Sequence, residues 1–333
     1  MAVRPKVSVV MPVYNAGNRL VRCLDSVTRQ TLHDIEIILV LDCPTDGSDA
    51  VAKRYAGQDS RIRIVENTAR LHIGESRNVG MRLARGEYIH FSDHDDYHEP
   101  AMLERMYRQA TAGDLDLLIS APVAVENGRT VHYGESDPVR DRQAVLQHLL
   151  GGEYDGRHTW SYYCYIHNVL YRTAFLRQYD IRFVDTRQMT PEDYIFNAVC
   201  LLHAGRVKET KDRFYYHELF SASEGHHSDY YSGMKRAKGL AYLYDYLHTH
   251  TADTALWQRY DLYLARNYIL LLIRALQSNR SLRECLRLMR CYRRLPFSAA
   301  VFRHYRPSVC TDYQGLGKRC LLSCLITCLT FGR

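Results

Sequence analysis

Three features of the 333-residue sequence predict an α/β fold, a mostly parallel sheet flanked by helices and followed by a helical extension. Strand-like and helix-like segments alternate over roughly the first hundred residues, the pattern of a sheet wrapped by crossover helices. Ile35-Glu36-Ile37-Ile38-Leu39-Val40-Leu41 is almost continuously apolar, as a parallel strand covered on both faces must be. From about Ser228 onward the apolar spacing is helical throughout.

Taken in order, Val7 to Val13 is the first strand, and Gly17 to Gln30 is a helix with Leu20, Leu24 and Val27 at core spacing. After the Ile35–Leu41 strand, Asp46-Gly47-Ser48-Asp49 opens a helix to about Tyr55. Arg61 to Glu66 is the third strand, Gly74 to Leu83 the third helix, and Gly86 to Ser92 the fourth strand. Beyond Pro100 the pattern loosens. Leu115 to Val125 reads as a strand, Arg129 to Gly134 as half of a hairpin, and Asn168 to Leu176 as a short helix. A helix over Glu192 to Ala204 precedes an extended run from Arg206 to His217. The remaining helices are expected over Tyr230–His250, Leu256–Gln277, Leu282–Arg293 and Gly317–Phe331.

Composition (46% hydrophobic, 24% charged) is that of an ordinary globular protein, so disorder is not the expectation. No secretory leader precedes the first strand and no apolar run reaches the length of a spanning helix, so the expected location is the cytoplasm. The ten cysteines include no Cys-x-x-Cys pair and read as reduced thiols. The net charge of +7 is uneven. Residues 254–333 hold fourteen Arg or Lys against Asp261, Glu284 and Asp312, a net of +11, which leaves −4 for the rest. Such a basic end suits an anionic surface.

The fourth strand ends on Asp93-His94-Asp95-Asp96. Side chains alternate along a strand, so Asp93 and Asp95 point the same way and repel unless a cation intervenes. Hard divalent ions take oxygen ligands and bridge to phosphates; an acidic turn capping the next helix fits the same residues, with Asp96 or Glu99 at its first turn. Ligands of open α/β sheets bind beyond the carboxyl ends of the strands. There Pro12-Val13-Tyr14-Asn15 ends the first strand and Leu41-Asp42 the second. No Gly-x-Gly-x-x-Gly follows the first strand and no P-loop occurs, which excludes dinucleotide-binding and P-loop chemistry. A nucleotide would be held through its base, an ion and cationic side chains such as Arg77, for which a surface salt bridge is the other reading.

Five ordered segments, Val9 to Asn15, Gln30-Thr31, Val40 to Ser48, Ser76-Arg77-Asn78-Val79-Gly80 and Gly86 to Asp96, together resemble the family 2 glycosyltransferases over roughly residues 5 to 220. The resemblance implies the nucleotide-sugar-binding GT-A fold and inverting transfer from a nucleotide-diphosphate donor, usually UDP-linked. It places Pro12, Tyr14 and Asn15 at the nucleoside, Asp42 on the uracil ring, Asp93 on ribose or metal, and Asp95 on Mg²⁺ or Mn²⁺. Cys43-Pro44 stands where the family often has Asp-Gly, which alters the base-reading loop. Pro191-Glu192-Asp193-Tyr194 resembles the family's Glu-Asp-aromatic element; Asp193 is the expected base, held ionised by the helix N-terminus, with Glu192 beside it. His217 is a third metal ligand or a diphosphate contact, or a histidine packed at the domain edge. His94 should point away from the site.

On this reading residues 1–225 form the catalytic domain, its donor half about 1–112 and its acceptor half about 113–225. Residues 226–333 form a basic helical tail. Trp160, Tyr163 and Tyr165 suit a sugar acceptor, and His226 and His227 a closing loop. The Gly317–Phe331 segment fits an interfacial membrane anchor, or a helix packed on the protein. The expected acceptor is a saccharide or lipid-linked saccharide in cell-surface polysaccharide synthesis. Two alternatives carry less. A sugar-nucleotide nucleotidyltransferase needs a Gly-rich basic loop that the first strand lacks. A non-catalytic sugar- or nucleotide-binding protein has no need of Asp42, Asp93, Asp95 and Asp193 together. No nucleic-acid pattern of interleaved aromatic and basic residues is present.

Overall fold

In the computed structural model, residues 4–126, 128–132, 141–151, 164–219 and 230–264 are described. The elements are β1 (Val7–Val13), α1 (Arg19–Thr28), β2 (Ile35–Leu41), α2 (Ser48–Ala56), β3 (Ile62–Glu66), α3 (His72–Leu83), β4 (Tyr88–Phe91), β5 (Tyr97–His98), α4 (Met102–Ala112), β6 (Leu117–Glu126), β7 (Arg129–His132), α5 (Arg142–Gly151), β8 (Val169–Arg172), α6 (Thr173–Gln178), α7 (Glu192–His203), β9 (Val207–Leu219) and α8 (Tyr230–His250). Residues 254–264 are also helical. Trp160, Tyr163, His226, His227, the chain beyond 264 and the proposed anchor lie outside the described residues.

Among the described residues one mixed sheet runs in the order β3-β2-β1-β4-β8-β6-β9-β5, with β7 on the side of β6. Its first four strands are parallel, pairing Val7 with both Ile35 and Tyr88, so β1, β2 and β4 end on the same edge. Beyond Pro100, where the sequence pattern loosens, the sheet is mixed: β8 runs antiparallel to β4 and β6, whereas β9 runs parallel to β6. The segment expected as a helix over Asn168–Leu176 begins as β8, and only Thr173–Gln178 is helical. The Val169-Leu170-Tyr171 run suits a strand, and pairing on both edges overrides its ambiguous apolar pattern. Elements α5 and β5 had no counterpart in the sequence reading, and α4 entered it only as the helix, given no bounds, that follows the acidic turn.

Alternation along β1 sets the layers. Val7, Val9, Met11 and Val13 join a core with Leu20, Cys23, Leu24 and Val27 of α1 and Met102 and Met106 of α4. Val10 faces the other side, where α3 crosses so closely that a Cβ on Gly80 would collide with Val10 Cγ1. That close approach brings the preceding turn of α3, with Arg77, against the sheet. The chain divides into two compact units. One comprises Met1–Leu149, Glu153–Arg187 and Glu192–Glu224; the other comprises Leu150–Gly152, Gln188–Pro191 and Gly225–Arg333. No helix among the described residues is long and apolar enough to cross a membrane.

Behind the sheet's carboxyl edge, His90 and His98 are buried with Nε2 atoms 3.1 Å apart. Burial lowers His90 from 6.5 to about 3. The unfolded chain therefore takes up a proton near pH 6.5 that the folded chain accepts only near pH 3. This part of the stability is complete above pH 6.5 and is lost as pH falls, by about 1.4 kcal/mol per unit at His90 alone. Denaturant titrations should show a lower midpoint at pH 5 than at pH 7; equal midpoints would contradict a neutral, buried His90.

Candidate active site

The loops that leave β1 and β2 are tied to one another. Asn15, at φ 44°, accepts the Thr45 amide at 2.8 Å through Oδ1. The Ala16 and Gly17 amides donate to Ser48 Oγ and Asp46 Oδ2 at 3.0 and 2.8 Å. Pro12 is buried, and its carbonyl lies 3.2 Å from His94 Nδ1, so His94 binds the β1 end rather than the acids beside it. The Tyr14 ring lies under the Arg70 guanidinium at 3.8 Å. Asp42 is 3% exposed and already accepts three hydrogen bonds, from Asn67 Nδ2 and the Leu71 and His72 amides. It therefore fixes the entry to α3, in addition to any part it takes in base reading.

Arg77 differs most from its sequence reading. Instead of lying at the rim to meet phosphate or forming a surface ion pair, its side chain is 1% exposed. Nη2 donates to Asp93 Oδ1 at 2.7 Å; Nη1 donates to Asp193 Oδ1 at 2.6 Å and Glu192 Oε1 at 3.0 Å. The guanidinium stands 5.3 Å over Phe183, whose ring stacks on Phe196 of α7 at 3.9 Å. That aromatic packing holds the start of α7, with Glu192 and Asp193 in its first turn, against the end of β4.

Three carboxylates on one guanidinium cannot all be neutralised, and the acids separate. Although burial acts to raise it, Arg77 holds the Asp93 carboxyl well below the usual range. Asp193 moves the other way: burial, with the Glu192 and Asp93 charges, pushes it well above the usual range against the pull of Arg77. The helix N-terminus was expected to keep Asp193 firmly ionised; desolvation and like charge outweigh that dipole. A carboxylate whose proton affinity is raised in this way is a stronger proton acceptor than an ordinary one.

Asp96 is not a helix cap. It is fully buried, accepting the Tyr215 hydroxyl at 2.7 Å and the Glu218 amide at 2.9 Å, with His217 Nδ1 at 3.1 Å from Oδ2. The Tyr215 oxygen in turn accepts the Asp93 amide at 3.1 Å, so β9 fixes the turn that carries the acids. Burial disfavours charge on His217, but Asp96, with Asp93 and Asp95 behind it, raises it to about 9. Asp95 is raised by burial and then by Asp96 and Asp93. A dication at this turn would relieve that repulsion; among the described residues the ligand atoms that lie within 4.8 Å of one another are those of Asp96, His167 and His217, and carboxylate oxygens with imidazole nitrogens suit a divalent ion. Sequence reasoning missed His167, which stacks on Tyr215 at 4.2 Å, and the hub role of Arg77.

The profile of glycosyl transferase family 2 matches residues 8–179, and the chain belongs to that family. It is 33% identical over 216 residues to the uncharacterized glycosyltransferase EpsJ of Bacillus subtilis (strain 168), covering 63% of this chain and 60% of EpsJ. It is 29% identical over 219 residues to the poly(ribitol-phosphate) beta-glucosyltransferase of Bacillus spizizenii, covering 64% of this chain and 32% of that protein. The aligned stretch thus spans less than two thirds of either relative. The crystal structure of S. aureus TarS 1–349 in complex with UDP-GlcNAc superposes with a TM-score of 0.74 at 20% identity, covering 98% of this chain and 88% of that one. The fold is accordingly GT-A.

Proposed function

We propose that this chain is an inverting glycosyltransferase. It moves a sugar from a nucleotide-diphosphate donor, UDP-linked, to a saccharide or lipid-linked saccharide in cell-surface polysaccharide synthesis. The observation that carries the reading is the Arg77 hub. One buried guanidinium binds Asp93, at the end of the donor-side strand, and Asp193, the raised acid of α7. Donor anchoring and proton acceptance are thereby held in one rigid unit. The TarS structure is recorded with UDP-GlcNAc, which supports a UDP-linked donor.

In the mechanism, Pro12, Tyr14 and Asn15 shape the nucleoside end, and Asp42 fixes the loop beside it. Asp95, Asp93 and His217 would hold Mg²⁺ or Mn²⁺, which when bound offsets the charge that grows on the diphosphate leaving group. Asp193 accepts the proton of the attacking hydroxyl. Arg77 keeps its carboxylate oriented, and Glu192 raises its proton affinity. A single displacement assisted by one base inverts the anomeric carbon. The experiment is a panel of UDP-, GDP- and dTDP-sugars with Mg²⁺ or Mn²⁺, followed by hydrolysis or transfer. Turnover of one UDP-sugar that stops with EDTA and returns with the metal is the expected outcome. If no donor in the panel is turned over, the reading fails.

A further inference from the structure

His167 is a buried polar group beside the acids that the mechanism above does not use. It lies two residues before β8, its side chain is 2% exposed, and neither ring nitrogen has a hydrogen-bond partner among the described residues. Nδ1 stops 3.8 Å from Asp93 Oδ2, too far for a hydrogen bond. Buried imidazole nitrogens are ordinarily satisfied by protein, water or metal. The ring is held in a column between Tyr215 at 4.2 Å and Tyr165 at 4.9 Å, with His217 at 5.0 Å.

His217 stands next to it in the arrangement typical of a metal-bound imidazole. Nδ1 faces the buried Asp96 carboxylate at 3.1 Å, and a carboxylate at one ring nitrogen fixes the tautomer that leaves the other as a ligand. One ligand atom from each of Asp96, His167 and His217 lies within 4.8 Å of the others. We propose that His167 and His217 form the imidazole side of the cation site, so that the ion taken is a transition-metal dication such as Mn²⁺ in preference to Mg²⁺. Mg²⁺ prefers oxygen donors, whereas two imidazoles beside carboxylates suit the first-row transition metals. The two rings are 20° from parallel. Gathering both nitrogens on one ion therefore requires a turn of His217, the more exposed ring at 24%.

The inference rests on reading the site as a metal-assisted one, but it is tested with metal alone. The full chain, without donor, is titrated with Mn²⁺ by electron paramagnetic resonance and, separately, with Mg²⁺ by calorimetry. Mn²⁺ should bind at least about tenfold more tightly than Mg²⁺, with pulsed spectra showing coupling to two imidazole nitrogens. His167→Phe retains a ring in the column and should weaken Mn²⁺ binding by about tenfold or more, leaving one nitrogen coupling and an unchanged melting temperature without metal. Should that variant unfold, His167→Gln is measured in its place. Wild-type protein with one nitrogen coupling or none, or a folded variant that retains two couplings and its Mn²⁺ affinity, overturns the proposal. Two couplings in a protein that turns over no sugar nucleotide would instead sink the glycosyltransferase reading and leave the metal site standing.

Discussion

Asp193→Asn is expected to bind UDP like the wild type, within about twofold, while turnover falls by about 10²- to 10⁴-fold, the range of a lost general base. The amide is isosteric and can still accept a hydrogen bond from Arg77, but it cannot take a proton from the acceptor hydroxyl. Asp193 Oδ1 lies 2.6 Å from Arg77 Nη1, so the substitution removes one anion from a cluster with too many. Folding should therefore be undisturbed, and the denaturation midpoint is expected to be equal or higher. Loss of turnover with UDP binding intact assigns Asp193 to proton transfer. Loss of UDP binding together with turnover would place it on the donor side and leave the base unidentified.

The parts of this site that were legible in the sequence depend on local periodicity. Strands β1 and β2 could be read because both faces are buried and their apolar runs are nearly unbroken. Asp93 and Asp95 could be paired because strand alternation puts them on one side. The rest depends on contacts between distant positions. Arg77 meets Asp193 across 116 positions and Asp93 across 16, and a helical arginine near a rim looks the same whether it faces solvent or three acids. Asp96 was read as a cap because capping is the common role of an acid before a helix. Its partners come from β9, more than a hundred positions later. His167 sits in a stretch rich in aromatics where no spacing rule applies, and its importance lies in the absence of a hydrogen bond. Helix α4, by contrast, was expected only as the helix after the acidic turn, without bounds, despite a readable signal: Met102, Leu103, Met106 and Ala110 recur at core spacing just after Pro100.

Removing the hub should cost more stability than any other single change at the site. Arg77→Met should destabilise the fold by about 3–5 kcal/mol, the cost of leaving buried charges without their partner. Methionine fills much of the arginine stem's volume, so the loss reflects charge more than a cavity. Glu192, Asp93 and Asp193 would then face one another with no cation among them. Each would hold a proton more tightly in the folded than in the unfolded chain, so the deficit relative to wild type should be largest near pH 7 and shrink as pH falls and the orphaned acids protonate. Adding Asp193→Asn removes one of those anions, so the double variant should lose less than the sum of the two single effects. Arg77→Lys keeps the charge but not the span, since one ammonium cannot present the two ends that now meet Asp93 and the α7 acids. It should fall between wild type and Arg77→Met in stability, with turnover reduced more than UDP affinity. Urea titrations of Arg77→Met, Asp193→Asn, their double variant and Arg77→Lys at pH 7 and 5 measure the stabilities, and turnover assays with UDP titration measure the rest. A deficit independent of pH, together with strict additivity, would show that Arg77 contributes packing alone and that donor-side and base-side acids are held independently.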